Sequence, residues 1–98
     1  MKKHDRPAEY RIIFQAGNWG TKSERYFTVY HSSEALDDIY YSFVHGGIHS
    51  DKITILKIEE YITYQDEWVD RMEKALEHAT ELDDIKITDG KIVIRKHK

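Results

Sequence analysis

The residues that come nearest to a metal site are His45 and His49. Two histidines four positions apart can bind one zinc ion from a single helical face, but the glycines at 46 and 47 interrupt helical geometry between them. His31 cannot complete the set, because a helix predicted between His31 and His45 separates them by ~20 Å. His45 and His78 are better explained as residues near helix C-termini, where partial positive charge is favourable. We therefore predict no bound metal and no cofactor.

Catalysis is not predicted from the sequence either. Adjacent carboxylates occur at 37–38, 59–60 and 83–84, but neighbouring residues point to different faces of a helix or strand and need not share a site. The serines lack a glycine-flanked elbow, and the glycines lack the spacing of a phosphate-binding loop. The chain has no cysteine, which excludes a thiolate nucleophile and a disulfide. We expect a protein that is not an enzyme.

The charges are divided unevenly along the chain. Residues 1–31 carry 6 basic and 3 acidic side chains, residues 32–84 carry 4 and 14, and residues 85–98 carry 5 and 1. The net charge of -3 therefore hides two basic ends and a strongly acidic middle. This division predicts a molecule with two electrically different surfaces.

Aromatic residues in the first basic region could stack on nucleic-acid bases. Tyr26 and Tyr30 are predicted to face one way along a strand that also contains Arg25, while Lys91 and Arg95 add charge from a C-terminal hairpin. Stacking surfaces next to cations are typical of proteins that bind single-stranded nucleic acid. Against this reading, 18 acidic side chains would repel phosphate from most approaches.

The acidic middle segment offers a different binding surface. On a helix predicted at about 64–80, the carboxylates of Asp66, Asp70, Glu73 and Glu77 form a narrow stripe. Such a stripe would attract a protein with a basic surface, and the residues at 37–38 would extend it if the helices are neighbours. An ordinary solvated helix face is the alternative interpretation.

Trp19 lies in the loop sequence QAGNWGTKSE between two predicted strands. The flanking glycines would allow the loop to fold back and bury the ring against the core. Alternatively the ring stays exposed as a rigid anchor for a protein partner, of the type enriched at binding hot spots. Both interpretations remain open at this stage.

These residues must be positioned by elements that the apolar spacing predicts. Residues 9–16 and 25–31 alternate as strands, and residues 34–45 have the apolar spacing of a helix, with Ser32 and Ser33 as candidate N-caps. A strand at 52–61 has apolar residues on both faces, which predicts either a central strand or a bulge. Three further elements follow, namely the helix at 64–80, which a capping box at 63–66 would begin, and a hairpin of two strands around Asp89-Gly90.

The resulting order is β-β-α-β-α-β-β. It predicts an α+β fold in which two helices pack on one face of a five-stranded mixed or antiparallel sheet. Residues 1–8 are expected to form a flexible basic arm, and residues 9–98 a single domain, since 98 residues suffice for one core.

The function that we expect is that of a small non-enzymatic protein–protein interaction module, an adaptor or inhibitor, in the cytoplasm. It would bind its partner through the acidic helix face, the tyrosine-bearing sheet face or the Trp19 loop. The chain contains no apolar run of the ~18 residues that a membrane span requires, so no membrane partner is expected. The partner would be another protein, with a basic surface if it meets the acidic stripe, or a second copy of the chain. Binding of single-stranded nucleic acid is the alternative.

Overall fold

A computed structural model describes residues 6–17, 21–46, 48, 50–82 and 85–95. Two helices and six strands lie within them. In chain order these elements are β1 (Ala8–Ala16), β2 (Lys22–Val29), α1 (Ser32–Val44), β3 (Lys52–Ile62), β4 (Glu67–Asp70), α2 (Met72–Ala79), β5 (Ile85–Thr88) and β6 (Lys91–Arg95). The first five residues of the predicted arm lie outside the described residues.

The strands form one antiparallel sheet with the order β2-β1-β3-β6-β5, and β4 pairs with the C-terminal part of β3. Both helices pack against the same face of this sheet and against each other. The core between them is mainly aliphatic, and its largest fully buried side chains are those of Phe43, Ile12, Leu36, Ile39, Ile53, Ile55, Ile58, Ile92 and Ile94. The α+β fold with both helices on one face is thus confirmed, but the sheet has six strands and not the predicted five. We call the covered side the helix face and the other side the open face.

A bulge in β3 explains its apolar residues on both faces. Ile13 pairs with Lys57 whereas Phe14 pairs with Ile55, so Leu56 is an extra residue that has no partner in β1. Because side chains alternate along a strand, the extra residue keeps Ile53 and Ile55 on the same face as the residues at 58 and 60. The bulge is therefore the correct interpretation of this segment. The strand β3 is central in the sheet, but the helices cover only one of its faces.

The helix α1 ends as predicted, with His45 at its C-cap. Its N-terminus differs, because His31 and not a serine is the N-cap residue. The Glu34 carboxylate accepts hydrogen bonds from the backbone N–H groups of Tyr30 at 2.7 Å and His31 at 3.2 Å. Ser32 is instead buried in the first turn.

The helix predicted at 64–80 is wrong over its first half. Residues 63–66 form a turn, in which Asp66 has a positive φ of 55°. The chain then returns along β3 as β4, with Trp68 paired to Tyr61, and α2 begins only at Met72. The pattern is ambiguous because adjacent apolar residues at 68 and 69 suit a strand as well as a helix. In the structure residues 67–70 form backbone hydrogen bonds with the edge of β3 at residues 59–62. The availability of that edge cannot be deduced from the local spacing of apolar residues.

The C-terminal hairpin is confirmed residue by residue. Ile85 pairs with Ile94 and Ile87 with Ile92. The turn residues Asp89 and Gly90 have φ values of 54° and 75°, which is the left-handed pair that a two-residue type I′ turn requires.

Replacing Asp70 with alanine tests where α2 begins. The Asp70 carboxylate accepts a hydrogen bond from the Met72 N–H at 2.8 Å, and this N–H has no partner inside the helix. We therefore expect Asp70→Ala to lower the free energy of unfolding by about 1 kcal/mol, measured by urea denaturation. Glu67→Ala, at an exposed position of the same strand, should change it by less than about 0.5 kcal/mol. A gain of stability in Asp70→Ala would contradict this helix start, because alanine is preferred over aspartate inside a helix.

Candidate binding surfaces

The open face carries an aromatic cluster that consists of Tyr26, Tyr61 and Trp68. These three residues come from β2, β3 and β4. The Trp68 ring centroid lies 5.2 Å from that of Tyr61 and 6.0 Å from that of Tyr26, where the rings meet edge to face. Since β1 and β3 separate β2 from β4, the side chains of Tyr26 and Trp68 must lean inward over the two central strands. Tyr26 nevertheless remains 49% exposed.

Arg11 lies beneath this cluster and is neutralised there. Its guanidinium carbon is 4.2 Å from the centroid of the Trp68 ring. Its Nε and one terminal nitrogen donate to Glu59 Oε1 at 2.9 and 2.7 Å. Burial alone would lower the pKa of Arg11, but hydrogen bonds with Glu59 and Tyr26 and the charge of Glu59 raise it above its ordinary value. The cation is therefore already paired with a carboxylate.

The opposite end of the open face is basic. Ile92 and Ile94 point into the core, so alternation places Lys91 and Arg95 on the open face. Lys86 pairs with Val93, which puts it beside them on this face. Lys57 pairs with Ile13 and lies on the same face in the middle of β3, between these cations and the aromatic cluster. All four of these cations belong to exposed residues.

The predicted nucleic-acid site is only partly assembled. Tyr26, Lys91 and Arg95 share the open face, but Arg25 pairs with Ile12 and therefore points toward the helix face. Tyr30 lies beyond the end of β2, in a shallow pocket with three carboxylates of α1, those of Glu34, Asp37 and Asp38. The expectation that Tyr26 and Tyr30 face one way along a strand is therefore wrong, because the strand ends at Val29.

The predicted acidic stripe is also rearranged. Asp66 lies in the turn before β4 and accepts a hydrogen bond from the Tyr61 hydroxyl, which raises the pKa of Tyr61. Asp70 ends β4 and binds the Met72 N–H. Only Glu73 and Glu77 lie on α2. The four residues therefore do not form one helical stripe, because the helix begins two residues after Asp70.

The two helices are neighbours, and their charged contact joins a carboxylate to a histidine. His78 Nε2 of α2 lies 2.8 Å from Asp37 Oδ1 of α1. Burial raises the pKa of Asp38, and the charges of Asp37 and Glu34 raise it further. Negative charge is therefore concentrated along α1, where these three carboxylates lie.

A cleft of about 620 Å³ opens on the helix face between the N-terminus of α1, the helix α2 and the end of β3. Glu60 lies at its floor and is only 5% exposed. Its Oε1 accepts hydrogen bonds from Arg71 Nε at 2.8 Å and from the Tyr10 hydroxyl at 3.4 Å. Burial raises the pKa of Tyr10 to about 12, and the charge and hydrogen bond of Glu60 contribute to the rise. Tyr10 therefore remains a proton donor to the carboxylate.

Sequence reasoning missed this cleft. Glu59 and Glu60 do point to opposite faces, as adjacent residues of a strand should, but the burial of Glu60 was not predicted. A signal for its burial was nevertheless present. Glu60 lies two positions after Ile58, so the two residues share a face of the strand, and a bulge before Ile58 turns that face toward the core. The ion pair between Arg71 and Glu60 could not be predicted, because a helix was predicted where β4 lies. In the structure β4 runs back along β3 and places Arg71 next to Glu60.

Two further predictions concern residues that the structure describes incompletely. Trp19 lies outside the described residues, so its two interpretations stay predictions. His49 also lies outside them, whereas the His45 ring packs against that of Tyr41 at a centroid distance of 4.2 Å. Among the residues that are described, no group of three histidine or acidic side chains is arranged to hold a metal ion.

Comparisons of the chain with protein families, with curated proteins and with solved structures give no match. Neither of the helices described above is long and apolar enough to cross a membrane. The proposals below therefore rest on the geometry of this chain alone.

Replacing Tyr10 with phenylalanine tests the burial of the Tyr10 hydroxyl beside Glu60 through the pH dependence of stability. An unfolded chain releases the tyrosine proton near pH 10, whereas folded Tyr10 holds it to about pH 12. As the pH rises through this window, ionisation favours the unfolded chain by up to about 1.4 kcal/mol per pH unit. Chemical denaturation should therefore show that wild type loses stability relative to Tyr10→Phe between pH 10 and 12. The other tyrosines and lysines cancel in this difference, so parallel curves would contradict the assignment.

Proposed function

We propose that this protein is a small, non-enzymatic protein–protein interaction module of the cytoplasm that binds its partner through the open face. The observation that supports this proposal is the aromatic cluster above Arg11, in which Tyr26 remains half exposed. Tyrosine, tryptophan and arginine are the residues most enriched at the energetic centres of protein interfaces. The absence of cysteine is consistent with a reducing compartment.

The arrangement of the cluster favours a protein partner because its rings are already held in place. Trp68 is fixed by Tyr61 on one side and by Arg11 on the other. A partner that packs on these rings therefore immobilises few additional side chains, which reduces the entropic cost of association. The basic end around Lys91 and Arg95 would meet acidic groups of the same partner.

Binding of single-stranded nucleic acid is the second candidate function, supported by the four exposed cations on the open face. Single strands are bound where stacking residues and cations alternate along one path. Here most of the cations lie away from the rings, since Lys86, Lys91 and Arg95 belong to β5 and β6 and only Lys57 is in the middle of the face. Glu9, Glu24 and Glu59 accompany the aromatic cluster. Carboxylates next to the rings would repel the phosphates of any stacked base. This separation makes a protein the better supported ligand.

The proposal is tested by affinity capture from native extract with the immobilised protein, using Tyr26→Ala and Trp68→Ala. Captured proteins that survive nuclease treatment are purified, and their affinity is measured by calorimetry. We expect each substitution to weaken binding at least about tenfold, corresponding to 1.4 kcal/mol. Tyr64→Ala is the matched control, because Tyr64 is 86% exposed in the turn before β4 and should bind like wild type.

Three results would contradict the proposal. One is equal affinity of Tyr26→Ala, Trp68→Ala and wild type for every captured protein. Another is capture that nuclease abolishes. If binding also weakens steeply between low and physiological salt, and is lost in the double variant Lys91→Glu plus Arg95→Glu, the nucleic-acid alternative is established. In the third, sedimentation shows self-association that Tyr26→Ala does not weaken.

A further inference from the structure

The cleft on the helix face contains the carboxylate of Glu60, of which only one oxygen accepts hydrogen bonds from the described residues. Both hydrogen bonds to Glu60 within the described residues end on Oε1, one from Arg71 and one from Tyr10. The other oxygen, Oε2, accepts none from them. No described side-chain oxygen is both fully buried and without a hydrogen-bond partner, so Oε2 must be accessible from the cleft. A mostly buried carboxylate thus presents one open acceptor to whatever enters.

The surroundings of Glu60 determine which sign of charge the cleft attracts. Among the described residues, Glu73, Glu77 and Glu81 line it together with Glu60, whereas its permanent cations are those of Arg71 and Lys74. His31 and His78 also line it, and Asp37 adds its charge next to His78. Even with Arg71 paired to Glu60, the carboxylates outnumber the permanent cations. A cationic group is therefore electrostatically favoured over an anionic one.

We propose that this cleft binds a basic side chain, lysine or arginine, of an extended polypeptide segment. The ammonium or guanidinium group donates a hydrogen bond to Glu60 Oε2, and the polar floor of the cleft is completed by the Tyr10 hydroxyl. Charge-assisted hydrogen bonds of this kind are stronger than neutral ones, and the partial burial of Glu60 limits their screening by water.

The spacing of the acidic residues along α2 favours a polypeptide over a small amine. Glu73 and Glu77 lie four residues apart on α2, which corresponds to ~6 Å along a helix axis. Alternate residues of an extended peptide point to the same side with a spacing of ~7 Å. A segment with basic residues at alternate positions can therefore place two of them beside Glu73 and Glu77, both of which line the cleft.

This site is independent of the function proposed for the open face. Glu60 and α2 lie on the helix side of the sheet, whereas Tyr26 and Trp68 lie on the other side, so either surface can fail a test without affecting the other. The helix-face site would give the module a second partner, or a second contact with a partner that reaches around the sheet.

The experiment uses the acetylated and amidated peptide Gly-Lys-Gly-Arg-Gly-Lys-Gly, titrated into the isotopically labelled full-length protein at physiological salt. Nuclear magnetic resonance should show saturable shifts of the backbone amides at Tyr10, Glu60 and Arg71 and along the first turns of α2. The same peptide with glutamine at its basic positions should give no saturable shift. Glu60→Gln should weaken the basic peptide at least about tenfold.

A matched control separates the cleft from general charge attraction. Glu9→Gln removes the same charge from an exposed position on the open face and should leave the affinity within about twofold of wild type. Glu77→Gln, on the rim of the cleft, should weaken binding about threefold. If circular dichroism shows that Glu60→Gln does not fold, the proposal is judged by the affinities of Glu77→Gln and Glu9→Gln for the peptide. Weaker binding by Glu77→Gln than by Glu9→Gln supports the cleft, and equal affinities contradict it.

The proposal is overturned if the peptide gives no saturable shifts, or if the shifts map to residues away from the cleft. It is overturned equally if Glu9→Gln weakens binding as much as the cleft substitutions do. Spermidine is titrated in parallel as a small polyamine, and binding of spermidine more tightly than the peptide would overturn the assignment of a polypeptide ligand.

Discussion

The bulge at Leu56 is the local constraint on which the arrangement of both surfaces depends. Without the extra residue, strict alternation would turn Ile58 and Glu60 to the open face whenever Ile53 and Ile55 face the core. With it, Ile58 completes the core and Glu60 enters the cleft, while Glu59 turns to the open face and pairs with Arg11. Two adjacent glutamates thereby serve opposite sides of one sheet.

The short strand β4 depends on the same part of β3 and connects the two sides. Its Trp68 covers Arg11 on the open face, and the residue that follows the strand, Arg71, pairs with Glu60 on the helix face. The Arg71 N–H also donates to the Ile58 carbonyl at 2.8 Å, which fixes the start of α2 against β3. The aromatic cluster and the charged floor of the cleft are therefore positioned by one eight-residue return of the chain, from residue 63 to 70.

Local signals predicted well those elements in which pattern and turn chemistry agree. The Asp-Gly hairpin follows from two residues that tolerate positive φ between alternating isoleucines, and α1 follows from regular apolar spacing that glycine terminates. The segment from 63 to 71 failed because its apolar residues fit both periods. Its choice between helix and strand depends on an unpaired edge of β3 that no local window contains.

The sequence by itself determined the α+β class and the helix-facing core, because these depend on the spacing of apolar residues. Only the tertiary structure decided which charged groups lie against aromatic rings and which are buried. Arg11 lies 48 residues before Glu59 and Tyr10 lies 50 residues before Glu60, and the pairing of β1 with β3 brings each pair together. The strand β4 then adds Trp68 to the first pair and Arg71 to the second. Long-range pairing across a bulged central strand therefore creates both candidate binding surfaces, since alternation and register, rather than proximity in sequence, decide which side chains share a face.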